Sequence, residues 1–148
     1  MVAAWEGDVE RARWLLKRSA NVNAVLTKNG ATALMLASEK GHLEIARLLL
    51  DKDANVNAAC TDDGTTALIQ AALKGHLEIA RLLLDRGANV NAACTDDGLT
   101  ALMLASKKGH LSTVQLLLVS GANKDAVNTA GYTALALAFT PEIKHALK

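Results

Sequence analysis

Three histidines, two cysteines and two pairs of aspartates are the residues whose type and spacing could do chemistry in this chain. His42, His76 and His110 recur every 34 residues, and such a ladder invites a metal site. Two imidazole nitrogens sharing a zinc at about 2.0–2.1 Å must lie within about 4 Å of each other. Helices carrying equivalent positions of stacked units sit about 8–10 Å apart, so the ladder reads as structural rather than metal-binding. At the same register in the first unit stands Asp8, a good helix N-cap, which gives the histidines a capping or backbone-bonding role.

Cys60 and Cys94 are also one period apart. That spacing exceeds the roughly 7 Å between Cα atoms that a disulfide spans, so both read as free thiols. Neighbouring Asp62, Asp63, Asp96 and Asp97 disfavour the thiolate. The aspartate pairs could serve acid–base work or hold calcium, but each precedes a glycine, and aspartate bonding its own backbone before glycine is turn chemistry. The sequence has no glycine-rich phosphate loop, no Gly-x-Ser-x-Gly elbow and no Cys-x-x-Cys pair. The reading is of a protein that is not an enzyme and uses no cofactor and no metal.

The elements that position these residues are written in the repeat. Gly7, Gly41, Gly75 and Gly109 fall 34 residues apart, and residues 41–60 differ from residues 75–94 only at Lys52/Arg86 and Asp53/Gly87. Thr-Ala-Leu recurs at Thr32, Thr66 and Thr100 with that period, and at Thr133 with one residue fewer. Between these landmarks each unit reads as two short helices, for example 32–40 and 43–51, the second with Ile45, Leu48 and Leu49 at helical spacing. The threonines are N-caps, and the glycines end the first helix where a positive φ is wanted. Thr-Asp-Asp-Gly at 61–64 and 95–98 marks a projecting, hairpin-like loop. No such unit covers its own apolar surface, so neighbours must stack.

Composition agrees with one domain over residues 1–148, in units of approximately 1–27, 28–61, 62–95, 96–128 and 129–148. With 16 Lys and Arg against 15 Asp and Glu, no bulk field favours nucleic acid or an anionic membrane. Trp5, Trp14, Tyr132 and Phe139 are too few aromatics to stack bases, and acidic loop tips repel phosphate. No apolar stretch approaches a membrane span and no secretory signal opens the chain, so the expected location is cytoplasmic or nuclear. The first helix of the opening unit reads as clipped, as if from a longer protein.

These residues resemble the ankyrin repeat, with its Asp-x-x-Gly-x-Thr-Pro-Leu-His-x-Ala, Gly-His-x-x-x-Val-x-x-Leu-Leu and Gly-Ala-x-x-Asn segments, over about 4.5 units. The resemblance implies an all-α solenoid of stacked helix–turn–helix units with projecting hairpin loops. Thr-Pro-Leu-His is replaced by Thr-Ala-Leu-Met, Thr-Ala-Leu-Ile, Thr-Ala-Leu-Met and Thr-Ala-Leu-Ala, so Met35, Ile69 and Met103 stand where the family has a polar histidine. One extra residue per internal unit predicts longer or bulged hairpin tips. Ser19 and Asp53 stand where Gly87 and Gly121 end the second helix in other units.

The resemblance also implies a protein-binding module whose partner lies against the hairpin tips and the first helices. Aligned by their threonines and glycines, the units present one row of Ala31, Thr65, Leu99 and Tyr132, and a second of Trp5, Glu39, Leu73 and Lys107. A third row holds Lys40, Lys74 and Lys108. Asp62 and Asp96 at the tips and Met35, Ile69 and Met103 in the first helices complete the candidate contact set. Acidic tips and basic helix ends with an apolar strip between them suit an amphipathic helix or an extended peptide. Trp5 either anchors that partner or covers the end of the stack, whereas Trp14, in register with Leu48, Leu82 and Leu116, reads as core. The protein is expected to be a monomer bound to a protein or peptide, with no nucleic acid and no membrane. The alternatives are a structural or self-associating array, natural or engineered, and a regulatory domain cut from a larger enzyme.

Overall fold

A computed structural model describes residues 1–26 and 28–148, so the unit boundary drawn at residue 27 lies outside the described residues. Ten helices follow in order: α1 (Val2–Glu6), α2 (Val9–Lys17), α3 (Ala33–Lys40), α4 (Leu43–Leu50), α5 (Ala67–Lys74), α6 (Leu77–Asp85), α7 (Ala101–Lys108), α8 (Leu111–Val119), α9 (Ala134–Leu137) and α10 (Pro141–Ala146). Odd-numbered helices pack on one another along the stack, and so do α2, α4, α6 and α8. Two layers result, with one continuous apolar core between them.

Local chemistry sets the boundaries. Thr32, Thr66, Thr100 and Thr133 each accept a hydrogen bond on Oγ1 from the backbone N–H three residues on. At Thr32 the bond is reciprocal, because the Met35 thioether sulfur accepts from the Thr32 N–H at 3.4 Å. The methionine that replaces the family's histidine thus still serves the cap. Asp8 caps α2 through the Arg11 N–H. In the second helix of each internal unit one face is apolar, and Ile45, Ala46, Leu49 and Leu50 of α4 are all buried.

Between units the chain folds back in a hairpin reduced to single bridges, Val25 with Thr32, Ala59 with Thr66 and Ala93 with Thr100. Cys60 N–H donates to the Thr65 carbonyl across the tip 61–64, and Cys94 N–H does the same to Leu99 across 95–98. In the last hairpin Asn128 N–H donates to Tyr132 across only 129–131. The extra residue of the internal units therefore sits in the tip, as the period predicts. No helix among the described residues is long and apolar enough to cross a membrane.

Three polar seams tie neighbours together. In the first, backbone donors at the tips reach back one unit: Thr61 to Asn29, Thr95 to Asp63 and Thr129 to Asp97, at 2.8–3.0 Å. The second seam is a relay of asparagines. Asn23 accepts from the Asn55 N–H at 2.7 Å and donates to the Asp53 carbonyl at 3.2 Å. Asn57 repeats both bonds with Asn89 and Gly87, and Asn91 with Asn123 and Gly121. The third seam is the histidine ladder described below.

Among the described residues, backbone strain is confined to two side-chain-bearing positions, Ser19 at φ 60° and Asp53 at φ 61°. Nothing lies within 4 Å of a Cβ built on Gly87 or Gly121, so the strain at their counterparts comes from the backbone alone. Gly41 is different: at φ 81° its added Cβ would also fall 2.7 Å from the His76 ring. Asp53→Gly is therefore expected to raise unfolding free energy by about 0.5–1 kcal/mol, and Gly41→Ala to lower it by more than that. Urea melts of the two variants check the pair, and a neutral or negative effect of Asp53→Gly contradicts it.

Candidate functional site

The candidate contact residues lie on the hairpins and on the odd-numbered helices α1, α3, α5 and α7. His42, His76 and His110 fix the backbone at the ends of α1, α3 and α5. Each Nε2–H donates to a backbone carbonyl in the preceding unit, of Trp5, Glu39 and Leu73 respectively, at 3.1–3.2 Å. Those acceptors are three members of the second groove row. Each ring also occupies the space over the preceding helix-ending glycine, with a Cβ on Gly7 or Gly75 falling 2.6 Å from it. The backbone-bonding role is the one these side chains perform. Unlike Asp8, they make no side-chain cap to their own helix.

Several predicted contact residues reach the surface. Trp5 is 48% exposed, with the Lys40 ammonium 3.4 Å above its ring centroid. That ammonium also lies 3.7 Å from Glu39, so three candidates from two rows meet at one point. Leu73 and Leu99 are half-buried, Tyr132 is 53% exposed, and Lys74, Lys107, Lys108, Asp62 and Asp96 are exposed.

Other candidates require correction. Ala31, Met35, Thr65, Ile69 and Met103 are buried and cannot touch a partner. Met35, Ile69 and Met103 belong instead to the continuous apolar core. In the first row only Leu99 and Tyr132 remain accessible, Ala31 and Thr65 both being buried. Trp14 departs in the opposite sense. Leu82 and Leu116 each lie on a helix that has a second helix before it in its layer and are buried, whereas α2 has a neighbour in its layer, α4, on one side only. Trp14 is therefore 53% exposed, with the Arg18 guanidinium 4.2 Å over its ring.

Register also missed part of the groove. An open hollow of about 490 Å³ lies where Val2, Trp5 and Glu6 of α1 meet Leu36 of α3 and Leu26 of the hairpin. Leu26 stands in the place that Cys60 and Cys94 take in later units. Its larger side chain was the available signal.

Cys60 and Cys94 are free and half-buried. Burial, then the charges of Asp63 and Asp62, push the Cys60 thiol up. Burial also raises Cys94, helped by Asp97, Asp63 and Asp96 and opposed by a hydrogen bond from Thr65. Both thiols resist ionisation and are poor nucleophiles. Among the described residues one group gathers three potential metal ligands, Cys94, Asp96 and Asp97, within 4.8 Å. Its carboxylates are engaged in the turn, Asp97 accepting from the Leu99 N–H and Asp96 from the Asp97 N–H. The histidines join no such group.

A stack of helix–turn–helix units joined by hairpins and tied together by a histidine ladder defines a helical repeat protein. The family model "Ankyrin repeats (3 copies)" matches residues 1–94 and "Ankyrin repeat" matches residues 97–129. The chain belongs to the ankyrin-repeat family. Its repeats generally mediate protein–protein interaction and are typically non-catalytic. None of the curated proteins compared with it matches the chain.

Removal of one ladder bond should be felt in stability rather than in metal affinity. His76→Ala is expected to cost about 1–2 kcal/mol through the orphaned Glu39 carbonyl and the emptied space over Gly41. Thermal melts of wild type should be unmoved by added zinc chloride. A melting point that rises with zinc in wild type but not in His76→Ala would reinstate the metal reading.

Proposed function

We propose that this protein is a non-catalytic scaffold that holds a protein or peptide partner in the groove between its hairpin tips and first helices. The observation that carries this reading is a division of labour. Backbone seams and buried side chains hold the stack, while Trp5 and Tyr132 are about half exposed and Leu73 and Leu99, which pack on one edge against the core, keep part of their surface open. Exposed aromatic and aliphatic side chains collected on a rigid face are the usual anchors of an interface. Basic Lys74, Lys107 and Lys108 flank the strip on the helix side and acidic Asp62 and Asp96 on the hairpin side, which gives an incoming segment a required orientation. Nothing in this arrangement asks for nucleic acid, a membrane or a cofactor, and a monomer in the cytoplasm or nucleus suffices.

A self-associating array is the second reading. Phe139, 75% exposed, and Val127, 60% exposed, favour it by leaving apolar surface in the last unit. Light scattering separates the two, since the groove reading expects a monomer at micromolar concentration.

The groove itself is tested by Leu73→Asp with Leu99→Asp. Both residues are half-buried at the surface, so the double variant should keep the helical circular dichroism of wild type. Partner capture should fall by at least tenfold, corresponding to about 1.4 kcal/mol or more. Undiminished capture by a folded double variant contradicts the groove assignment.

A further inference from the structure

The hollow at the first-unit end of the groove and the acidic hairpin tips beyond it make a composite surface with a direction. Val2, Trp5, Leu26 and Leu36 line the hollow, which is wide enough for one bulky side chain. Val2, Trp5 and Leu26 keep about half of their surface exposed there. Its lining does not repeat in full along the stack, because the counterparts of Leu26 are the half-buried Cys60 and Cys94, the counterpart of Leu36 in α5 is Gln70, and its counterpart in α7, Leu104, is buried. An apolar anchor thus has one seat and not four.

Charge breaks the symmetry further. The hairpin beside the hollow carries Lys28 and Asn29, whereas the next two carry Asp62 with Asp63 and Asp96 with Asp97. None of these four aspartates is in an ion pair among the described residues. Along that edge the surface therefore runs from an apolar seat to two successive anionic steps, one unit apart. Lys74, Lys107 and Lys108, also without ion pairs among the described residues, oppose them from the helix side.

Building on the groove reading above, we infer that the partner segment is an extended, cationic–apolar peptide. A bulky apolar side chain fills the hollow, and Lys or Arg residues at three and six positions from it meet the Asp62/Asp63 and Asp96/Asp97 tips. The spacing follows from the repeat. Stacked helices advance about 8–10 Å per unit, and a polyproline II segment advances about 9.3 Å per turn of three residues. Every third side chain of such a segment stays on the hairpin edge and in register with successive tips. A β-strand presents one side every two residues, about 6.6 Å, and drifts out of step within one unit. Basic side chains on the opposite edge of the peptide would meet Lys74, Lys107 and Lys108 and are disfavoured.

The test is selection from a random dodecapeptide display library on the intact chain at physiological salt, followed by affinity measurement of the enriched peptides. Expected are sequences with Phe, Trp, Leu or Met and Lys or Arg three and six residues away on one side. Affinity should drop at least tenfold in Leu26→Asp, clearly in the milder Leu26→Ala, and again in the pair Asp62→Lys and Asp96→Lys. These positions are exposed, and circular dichroism confirms that the variants fold. No enriched peptide, or peptides without that basic triplet spacing, overturns the inference. Peptides that lose binding in Leu73→Asp with Leu99→Asp but ignore Leu26→Asp also overturn it while leaving the groove reading intact. Insensitivity to every one of these substitutions overturns both.

Discussion

Helices of four to nine residues do not persist in water alone, so every unit of this chain depends on the seam where it meets the next. Apolar burial supplies the driving force along the stack, with alanines at the inner-helix contacts letting backbones approach closely: Ala37, Ala71 and Ala105 are fully buried. Burial by itself is non-directional. What sets the register between units is the polar layer outside the core, where hairpin N–H groups, asparagine side chains and histidine rings each find a partner one unit away. A slip of one residue would orphan several of these donors together.

That seam has a functional consequence through its geometry. The histidine rings hold the carbonyls of Trp5, Glu39 and Leu73, so the backbone of a groove row is fixed by residues that do not face the groove. Side chains at that register vary among Trp, Glu, Leu and Lys, with Trp5 and Glu39 contacting Lys40 and Leu73 packing against the core. On the proposed binding face, a backbone fixed in this way avoids ordering cost. It also lets one scaffold present different chemistry at each unit: an apolar hollow at one end, anionic tips in the middle and Tyr132 towards the other.

Much of this was legible in the sequence because the decisive residues act locally. A threonine ahead of Ala-Leu caps whatever helix follows, and a glycine after Lys40 or Lys74 ends it. Asp53 at positive φ likewise follows from its register with Gly87. Residues whose fate depends on a neighbour were less legible. Trp14 shares a register with core leucines, yet register says nothing of whether a helix lies on its other side. Ala31 and Thr65 share a row with Tyr132 but are buried where it is exposed, so one row mixes buried and exposed members. Asn23, Asn57 and Asn91 carried no signal of their reach across units, because a polar residue in a loop reads the same whether it bonds water or the next unit. The hollow was not legible because Leu26 differs from its counterparts Cys60 and Cys94, and a period carries information only about what recurs.

Hydrogen exchange read residue by residue tests the seam most directly. The amides of Asn55, Asn89 and Asn123 lie in exposed loops, and each donates to an asparagine of the preceding unit at 2.7–2.8 Å. If the seams hold the stack, these amides exchange as slowly as the buried helices α5 and α6, through the same cooperative opening. Exchange at the rate of an unstructured loop, with the helices still protected, would show that the units stack without them and that the groove is not braced as described.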